Sequence, residues 1–598
     1  MILQHIFQSP TPDSPGQAPL NYRKMSRLLR DSGSPENLRV ALMGNITLEL
    51  VTPYFMVEAA RIDQMVAFHV SPFGQHMQDL FSDRFRAFKP DVVVLVLAAE
   101  NLWPDAFARF HLLSLEERHG LRDGIIAQVE DWVATALAQT EATLMVSNFP
   151  IRPSTLGIAD LTSDYGETEF FLDLNLGMMR AVKALPRVQI LDVAMAVSRV
   201  GISQAFDRRL HFMAKIEWTE ATMREVGQAF CRNLIGIRGL ARKCLVLDLD
   251  NSLWGGVLGE DGPHGILVGD GDMVSEAYQD FQRRVRGLKD RGILLAFCSK
   301  NNPEDVEEAF AVRTDMPLHA SDFSARSVSW EPKNLGLEQI ARTLNIGLDS
   351  LVFMDDNPAE IAMVRAYCPE VHCVLLPSDP ADFVSVLDGL SCFEKARLTA
   401  DDRRKSEQYA FVAERSGGGA IKDPMEYLHD LAMQAVIREA TAADILRVQQ
   451  LFSKTNQFNL TTRRLSMGEV EKMIEADDWT LVVAELRDRF GDLGTVALYA
   501  MRFDGQDMDI EHLLMSCRAM GRGLETALIN DAKARFQAHA RACLLRASYH
   551  PTVKNDPVSS LYETQHFRLV SADGAKYYTL DRGDVRFADC AWITLEKA

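Results

Sequence analysis

Short apolar runs alternate along this chain with longer stretches in which apolar positions recur every three or four residues, the pattern of strands alternating with amphipathic helices. In the first third the runs fall at 39–43, 65–69, 91–97, 143–146 and 188–192. The clearest helical pattern spans 114–139. It opens on Ser114 with Glu117 three residues later, a capping box. Strands alternating with helices predict a parallel sheet covered on both faces. The reading is one α/β domain over 36–238, after a polar lead-in at 1–35.

The pattern repeats over 242–390. The continuous apolar run 244–247 reads as a buried parallel strand. A Gly-rich segment, 255–271, predicts a hairpin-like flap. It is followed by a helix at 275–290, a strand at 293–298, helices from Pro303 and at 335–344, and a strand at 351–354. Residues 391–430 read as a linker, with Ser416-Gly-Gly-Gly419 as its strongest signal. The last domain, 431–598, mixes a meander (480–485, 495–503, 508–516) with a helix at 523–536 and strands near Leu544 and Tyr577. The fold class is therefore multidomain α/β, ending in an α+β domain.

Composition narrows the function. A chain of 598 residues is too long for one core. A net charge of −19 argues against nucleic-acid and anionic-membrane partners. The nine cysteines form no C-x-x-C pair, which points away from zinc and disulfides and towards a cytoplasmic protein. The N-terminus lacks the pattern of a signal peptide. The longest apolar run, 92–99, is too short to span a bilayer.

The chemistry concentrates at strand ends in 242–390. Asp248 and Asp250 follow the first apolar run, where α/β sheets bind ligands. Two such carboxylates call for a cation, and Mg²⁺ suits oxygen ligands. Phosphoryl transfer to a carboxylate needs a nucleophile, an acid/base, a metal and donors to the phosphoryl oxygens. Asp248 supplies the nucleophile and Asp250 the acid/base. Ser299 donates a hydroxyl, Lys333 neutralises charge, and Asp355 and Asp356 complete a metal site with Asp248 and Asp250. Each residue alone also reads as a cap, turn or solvated side chain; their shared order in one domain favours function.

Asp248-Leu-Asp-Asn-Ser-Leu-Trp-Gly-Gly256, Cys298-Ser-Lys-Asn-Asn302, Trp330-Glu-Pro-Lys333 and Phe353-Met-Asp-Asp-Asn-Pro-Ala-Glu360 closely resemble the four motifs of the haloacid dehalogenase superfamily, and within it the FkbH-like branch. The resemblance implies a Rossmann-like core and the roles just assigned. It implies that Asp356 is the direct metal ligand of its pair. Ser252 stands where the superfamily usually has Thr. Only 48 residues separate Asp250 from Ser299, too few for a large cap, which leaves the site open to a bulky partner.

FkbH-like proteins are associated with passing a glyceryl unit, through an enzyme thioester, to an acyl carrier protein. Cys298 then has two readings. It is a buried small hydrophobe, or a thiolate beside Ser299 that takes the acyl group. Cys517 is the other candidate thiol. Arg518-Ala-Met-Gly-Arg-Gly523 resembles the pantetheine-pyrophosphate loop of GNAT acyltransferases, with Arg518, Gly521, Arg522 and Gly523 as binding residues. Asn555-Asp-Pro-Val-Ser-Ser-Leu-Tyr-Glu563 resembles a later GNAT helix, and Lys454-Thr-Asn-Gln-Phe-Asn-Leu-Thr-Thr462 matches the start of the FkbH-like C-terminal domain. Arg463, Arg464, Arg518 and Arg522 form positive charge suited to an acidic carrier protein, or a solvated face. The first domain resembles SGNH hydrolases more loosely. Gly44-Asn-Ile-Thr47 stands where Gly-Asp-Ser is usual, and Asn148, Asp207 and His211 make no convincing triad.

The resulting expectation is a Mg²⁺-dependent glyceryl transferase and phosphatase. It takes a phosphoglyceryl unit from 1,3-bisphosphoglycerate, removes its phosphate, and loads glyceryl onto the phosphopantetheine of a carrier protein. The alternatives are a plain phosphatase of a small phospho-metabolite and a carrier-binding scaffold.

Overall fold

The computed structural model describes residues 21–398, 428–429, 431–455, 457–489, 491–516, 519–552 and 554–596. Two compact units meet in sequence between Leu240 and Ala241, and Ser466–Glu471 belongs with the first.

The first unit carries β1 (Leu38–Gly44), β2 (Val66–Val70), β3 (Val92–Val96), β4 (Thr143–Ser147) and β5 (Val188–Leu191) in the order β2-β1-β3-β4-β5. All pairs are parallel. Every residue of the central β3 is buried, as a strand covered on both faces requires. Helices α1 (Leu115–Gln139) and α2 (Glu167–Lys183) cover one face with Ile125, Val129, Phe170 and Leu174. Helix α3 (Glu220–Arg238) covers the other with Val226, Phe230 and Leu234. Both capping-box bonds of Ser114 and Glu117 are present. The lead-in is more structured than its polarity predicts. Tyr22–Asp31 is a helix capped by Asn21, and it buries Tyr22 and Leu29. Its charged residues face outward and only Tyr22, Ser26 and Leu29 are buried, so a one-sided contact sufficed to fold it.

The second unit opens with β6 (Cys244–Leu247), β7 (Leu294–Ser299), β8 (Ala325–Val328), β9 (Leu351–Asp355) and β10 (His372–Leu375). Their order is β10-β9-β6-β7-β8, all parallel. The chain starts in the middle and extends to both sides, so the strand order reverses at β6 and leaves a crevice at its carboxyl end. Helices α4 (Met273–Asp290) and α5 (Pro303–Val312) pack on one face through Phe281, Val285, Val306 and Ala309. Helices α6 (Lys333–Thr343) and α7 (Pro358–Tyr367) pack on the other through Leu337, Ile340, Ile361 and Val364.

Strands β8 and β10 have no counterpart in the apolar pattern. They are four-residue edge strands, half exposed, with Arg326 and His372 among them. The 255–271 flap is a hairpin only at its base, where Gly255 and Leu267 exchange backbone hydrogen bonds of 2.9 and 2.8 Å. Its tip, Leu258–Gly265, is helical and broken at Gly262, where φ is 70°. Lys333 begins a helix rather than ending a strand.

The same unit continues into an eight-stranded sheet: β11 (Met433–Glu439), β12 (Trp479–Asp488), β13 (Gly491–Phe503), β14 (Met508–Met515), β15 (Leu544–Tyr549), β16 (Arg568–Asp573), β17 (Ala575–Asp581) and β18 (Ile593–Glu596). The order is β16-β17-β15-β14-β13-β12-β11-β18. The pairs β14·β15 and β11·β18 are parallel and the rest antiparallel. Helix α8 (Leu524–Ala538) follows β14 and buries Leu524, Leu528 and Phe536. The Ser416–Gly419 signal lies outside the described residues. Among the described residues, no helix is long and apolar enough to cross a membrane.

Candidate functional site

The reversal point at β6 gathers side chains from three strand ends and one helix. Asp248 follows β6, Ser299 ends β7, Asp355 ends β9 and Lys333 opens α6. Odd and even positions of a strand face opposite ways. Cys244 and Val246 of β6 and Leu351 and Phe353 of β9 face the α6–α7 layer. The same alternation aims Asp248 and Asp355 to that side, where Lys333 meets them.

Lys333 Nζ lies 2.8 Å from Asp248 Oδ1 and 2.6 Å from Asp355 Oδ2. All three side chains are buried. Asp355 Oδ1 accepts the Asn357 backbone N–H at 2.8 Å. Burial raises the Asp248 carboxyl above the ordinary range; Lys333 pulls it down and Asp355 pushes it further up. Burial by itself would lower the Lys333 ammonium, but the two carboxylates outweigh it and hold it above the usual lysine value. Asp356 is raised too, by burial and then by Asp355.

Asp248, Asp355 and Asp356 each offer an oxygen within 4.8 Å of the others. Three carboxylates against one ammonium leave a surplus of negative charge. Asp248 Oδ1 is also buried without a hydrogen-bond donor in good geometry, although it makes the ion pair. A hard divalent cation with oxygen ligands answers both features, so the residues fit Mg²⁺. Ser252, fully buried, donates to Asp356 Oδ1 at 3.4 Å and braces it.

The Asp250 carboxylate is not in this group. Its Oδ1 accepts Trp254 Nε1 at 3.0 Å and the Leu258 N–H at 3.1 Å. Its Oδ2 accepts Asn301 Nδ2 at 3.0 Å, and the same amide reaches Ser299 Oγ at 3.2 Å. Asn251 makes the turn that allows this. Its φ is 52°, a conformation Asn tolerates, and its side chain accepts the Gly256 N–H at 3.0 Å. Asn301 and Trp254 are individual contributors that motif reading passed over. Their sign was an amide and an indole within two motifs already singled out.

Cys298 is held away from solvent. Its Sγ lies in the apolar layer beneath α6, 3.7 Å from the Lys333 carbonyl oxygen. A Cβ on Gly336 would come within 2.6 Å of it. Burial pushes the thiol up to about 12. That state is the buried hydrophobe of the two readings. The thiolate reading needed an open, electropositive surface, and the first turn of α6 covers it instead.

Cys517 and Arg518 lie outside the described residues. Gly521 and Gly523 have φ of 74° and 77° and lead into α8. Arg522 is not a surface cation: it forms a buried ion pair with Asp488 at 2.5 Å, and its carbonyl accepts Trp592 Nε1 at 2.8 Å. Arg463 and Arg464 are exposed.

The parallel pair β14·β15 runs only from Met508↔Leu545 to Ile510↔Ala547. Beyond it the strands part, and Phe458, Asn459 and Leu460 occupy the gap. Met515 N–H donates to Phe458 O at 3.0 Å, Leu460 N–H to Leu513 O at 3.3 Å, and His550 N–H to Leu460 O at 2.7 Å. Asn459 orders this segment by accepting the Thr462 N–H at 2.8 Å. Fully buried Asn555 ties it to the far strand, donating to Asn459 O and His550 O at 2.9 Å each.

In the first unit, Asp207 caps a helix by accepting the Leu210 N–H, and His211 Nδ1 pairs with Glu217 Oε1 at 2.7 Å. Asn148 donates to Asp192 Oδ1 at 2.8 Å. These contacts assemble no triad of Asn148, Asp207 and His211.

No protein-family model matches the chain, and a search of curated proteins gave no match. Among solved structures, the chain is similar to the N-terminal part of the Bacteroides fragilis protein BF1531, which contains a phosphatase domain and was solved with Mg. The identity is 30%, over 63% of this chain and 100% of that one, with a TM-score of 0.57. Spermidine N-acetyltransferase of Vibrio cholerae matches at 16% identity over 25% of this chain and 97% of its own, with a TM-score of 0.21. The ribosomal-protein-S18-alanine N-acetyltransferase of Escherichia coli matches at 12% over 26% and 97%, with a TM-score of 0.20.

Proposed function

This chain belongs to the family of the phosphatase-domain protein BF1531 of Bacteroides fragilis, and from that premise we propose that it is a Mg²⁺-dependent phosphatase that also loads a glyceryl unit onto an acyl carrier protein. The observation that carries the phosphatase half is Lys333 held between Asp248 and Asp355, with Asp356 alongside. Asp248 attacks phosphorus, and the bond to the leaving oxygen breaks as Asp250 gives that oxygen a proton. Asp250 then takes a proton from water, whose oxygen displaces Asp248 and releases phosphate. Ser299 and Lys333 hold the phosphoryl oxygens. Mg²⁺, held by Asp248, Asp355 and Asp356, would offset charge on the transferring group.

The proposed donor is 1,3-bisphosphoglycerate. The carrier thiol attacks its acyl carbon, the acyl–oxygen bond breaks, and phosphate departs with the electron pair and takes up the thiol proton. The remaining phosphate ester is hydrolysed at Asp248. The support is the pairing of a phosphatase site with a strand, glycine turn and helix suited to a pyrophosphate, together with the FkbH-like motifs. Incubating candidate carriers with donor, Mg²⁺ and protein yields a glyceryl adduct by mass spectrometry. No adduct on any carrier sinks the loading half.

The buried state of Cys298 argues against an acyl-enzyme at that thiol; the second reading is a phosphatase of a free phospho-metabolite that loads no carrier. It predicts rapid phosphate release without a carrier.

A further inference from the structure

Asp250 is held by three donors that divide unevenly between its oxygens. Oδ1 accepts two, from Trp254 Nε1 and the Leu258 N–H. Two donors fill the lone pairs of a carboxylate oxygen in its plane. Oδ2 accepts one, from Asn301, and keeps one lone pair. A proton passing to or from Asp250 therefore travels by Oδ2, the oxygen that Asn301 aims.

Asn301 does a second thing with the same amide nitrogen. It reaches Ser299 Oγ at 3.2 Å, the hydroxyl placed to hold a phosphoryl oxygen. Asn301 is 3% exposed and Ser299 3% exposed, so neither bond competes with bulk water. One amide thus fixes the distance between the proton carrier and the group that holds the phosphoryl oxygen. Trp254, fully buried, backs the other oxygen from the apolar layer around Phe310.

We infer that Asn301 is a positioning residue: with Trp254 it clamps Asp250 so that Oδ2 faces the leaving oxygen, clear of the Asp248–Asp355–Asp356 group. This rests on the phosphatase reading. In the first step the proton on Oδ2 goes to the alkoxide as its bond to phosphorus breaks and the Asp248–phosphorus bond forms. In the second step Oδ2 accepts a proton from water as phosphate leaves Asp248. Without Asn301, Oδ2 has no side-chain donor and the carboxylate is free to turn about its Oδ1 contacts.

The clamp matters most when the leaving oxygen is basic. An alkyl phosphate expels an alkoxide and needs the proton; p-nitrophenyl phosphate expels a stable phenolate and does not. Positioned general acid–base catalysis is worth about 10²–10⁴-fold. Asn301→Ala should therefore lower kcat/KM for glycerol 3-phosphate, which reports the first step, by about 30-fold or more, while kcat/KM for p-nitrophenyl phosphate falls by about threefold or less. Asn301→Ser, which keeps a donor, should fall between wild type and alanine on the alkyl ester. A crystal structure of Asn301→Ala should show the Asp250 carboxylate displaced. Equal losses on both esters, or a carboxylate that keeps its place in the variant, overturn the inference. A wild-type protein that hydrolyses neither ester with Mg²⁺ overturns the phosphatase reading instead, and the variant's structure still decides the clamp.

Discussion

Cys298 Sγ lies 3.7 Å from the carbonyl oxygen of Lys333, the residue whose ammonium spans Asp248 and Asp355. The thiol is thus directly under the phosphoryl site and sealed from it by the first turn of α6. With its thiol pushed up to about 12 by burial, Cys298 stays protonated at pH 8. Iodoacetamide should leave Cys298 unmodified in the folded protein, read by peptide mass spectrometry. Cys298→Ala should retain phosphate release within about twofold and cost about 1–2 kcal/mol of stability. Rapid labelling of Cys298, or loss of activity in a well-folded alanine variant, contradicts the buried reading.

The same packing makes Gly336 sensitive. An added Cβ would meet Cys298 Sγ at 2.6 Å and Ser327 Oγ at 2.8 Å. Gly336→Ala should push α6 outward and carry Lys333 with it, at a cost of about 1–3 kcal/mol and reduced phosphate release. Removing the sulfur in Gly336→Ala/Cys298→Ala should restore part of both. A double-mutant cycle should show coupling of about 0.5–3 kcal/mol. Strict additivity would mean the two residues do not press on each other.

Among the described residues, Lys333 is the cation placed between Asp248 and Asp355. Lys333→Met leaves those carboxylates buried and uncompensated, which destabilises by about 3–5 kcal/mol. Added Mg²⁺ should recover part of the loss by binding the folded state only. Urea unfolding with Mg²⁺ or EDTA measures both effects. A variant as stable as wild type in EDTA would remove the electrostatic argument for the cation.

His512 gives the acid side of the stability curve. It is 1% exposed, its Nδ1 meets Thr461 Oγ1 at 3.0 Å, and its ring packs against Phe452 and Trp479. Burial, and then Arg463, lowers its pKa to about 3. The unfolded chain takes up a proton near pH 6.5 that the folded imidazole refuses, so stability falls as pH drops below that value. At pH 5 this amounts to about 2 kcal/mol. His512→Gln should lose about that much less between pH 7 and pH 5 in urea unfolding. Parallel pH curves would place the imidazole in contact with water.

Gly523 tests the glycine turn before α8. Its φ is 77°, and a Cβ would stand 2.5 Å from Trp592 Cζ2. Gly523→Ala should destabilise by about 1–3 kcal/mol and loosen the start of α8, seen as faster amide exchange at Leu524–Thr526. Unchanged exchange there would show that the turn has room to shift.

Several features were legible in the chain because they are local. Residues 244–247 form a buried central strand as their unbroken apolar run predicts, and Ser114 with Glu117 opens α1 as their three-residue spacing predicts. The chemical types that meet at the carboxyl end of β6 were visible for the same reason, since motif spacing follows from the repeated strand-to-helix step. The edge strands β8 and β10 were not, because half-exposed four-residue strands carry no long apolar run.

Tertiary structure alone decided what each side chain faces. Sequence places Cys298 next to Ser299, but strand alternation sends its sulfur beneath α6, where the Lys333 turn covers it. Sequence shows Arg522 beside two glycines; only folding pairs it with Asp488 and withdraws it from the surface. Asn301 reads as one polar residue among several until β6 and β7 lie side by side and bring it to Asp250. Composition and periodicity act within a few residues, whereas burial and hydrogen-bond partners depend on contacts between strands that are distant in the chain.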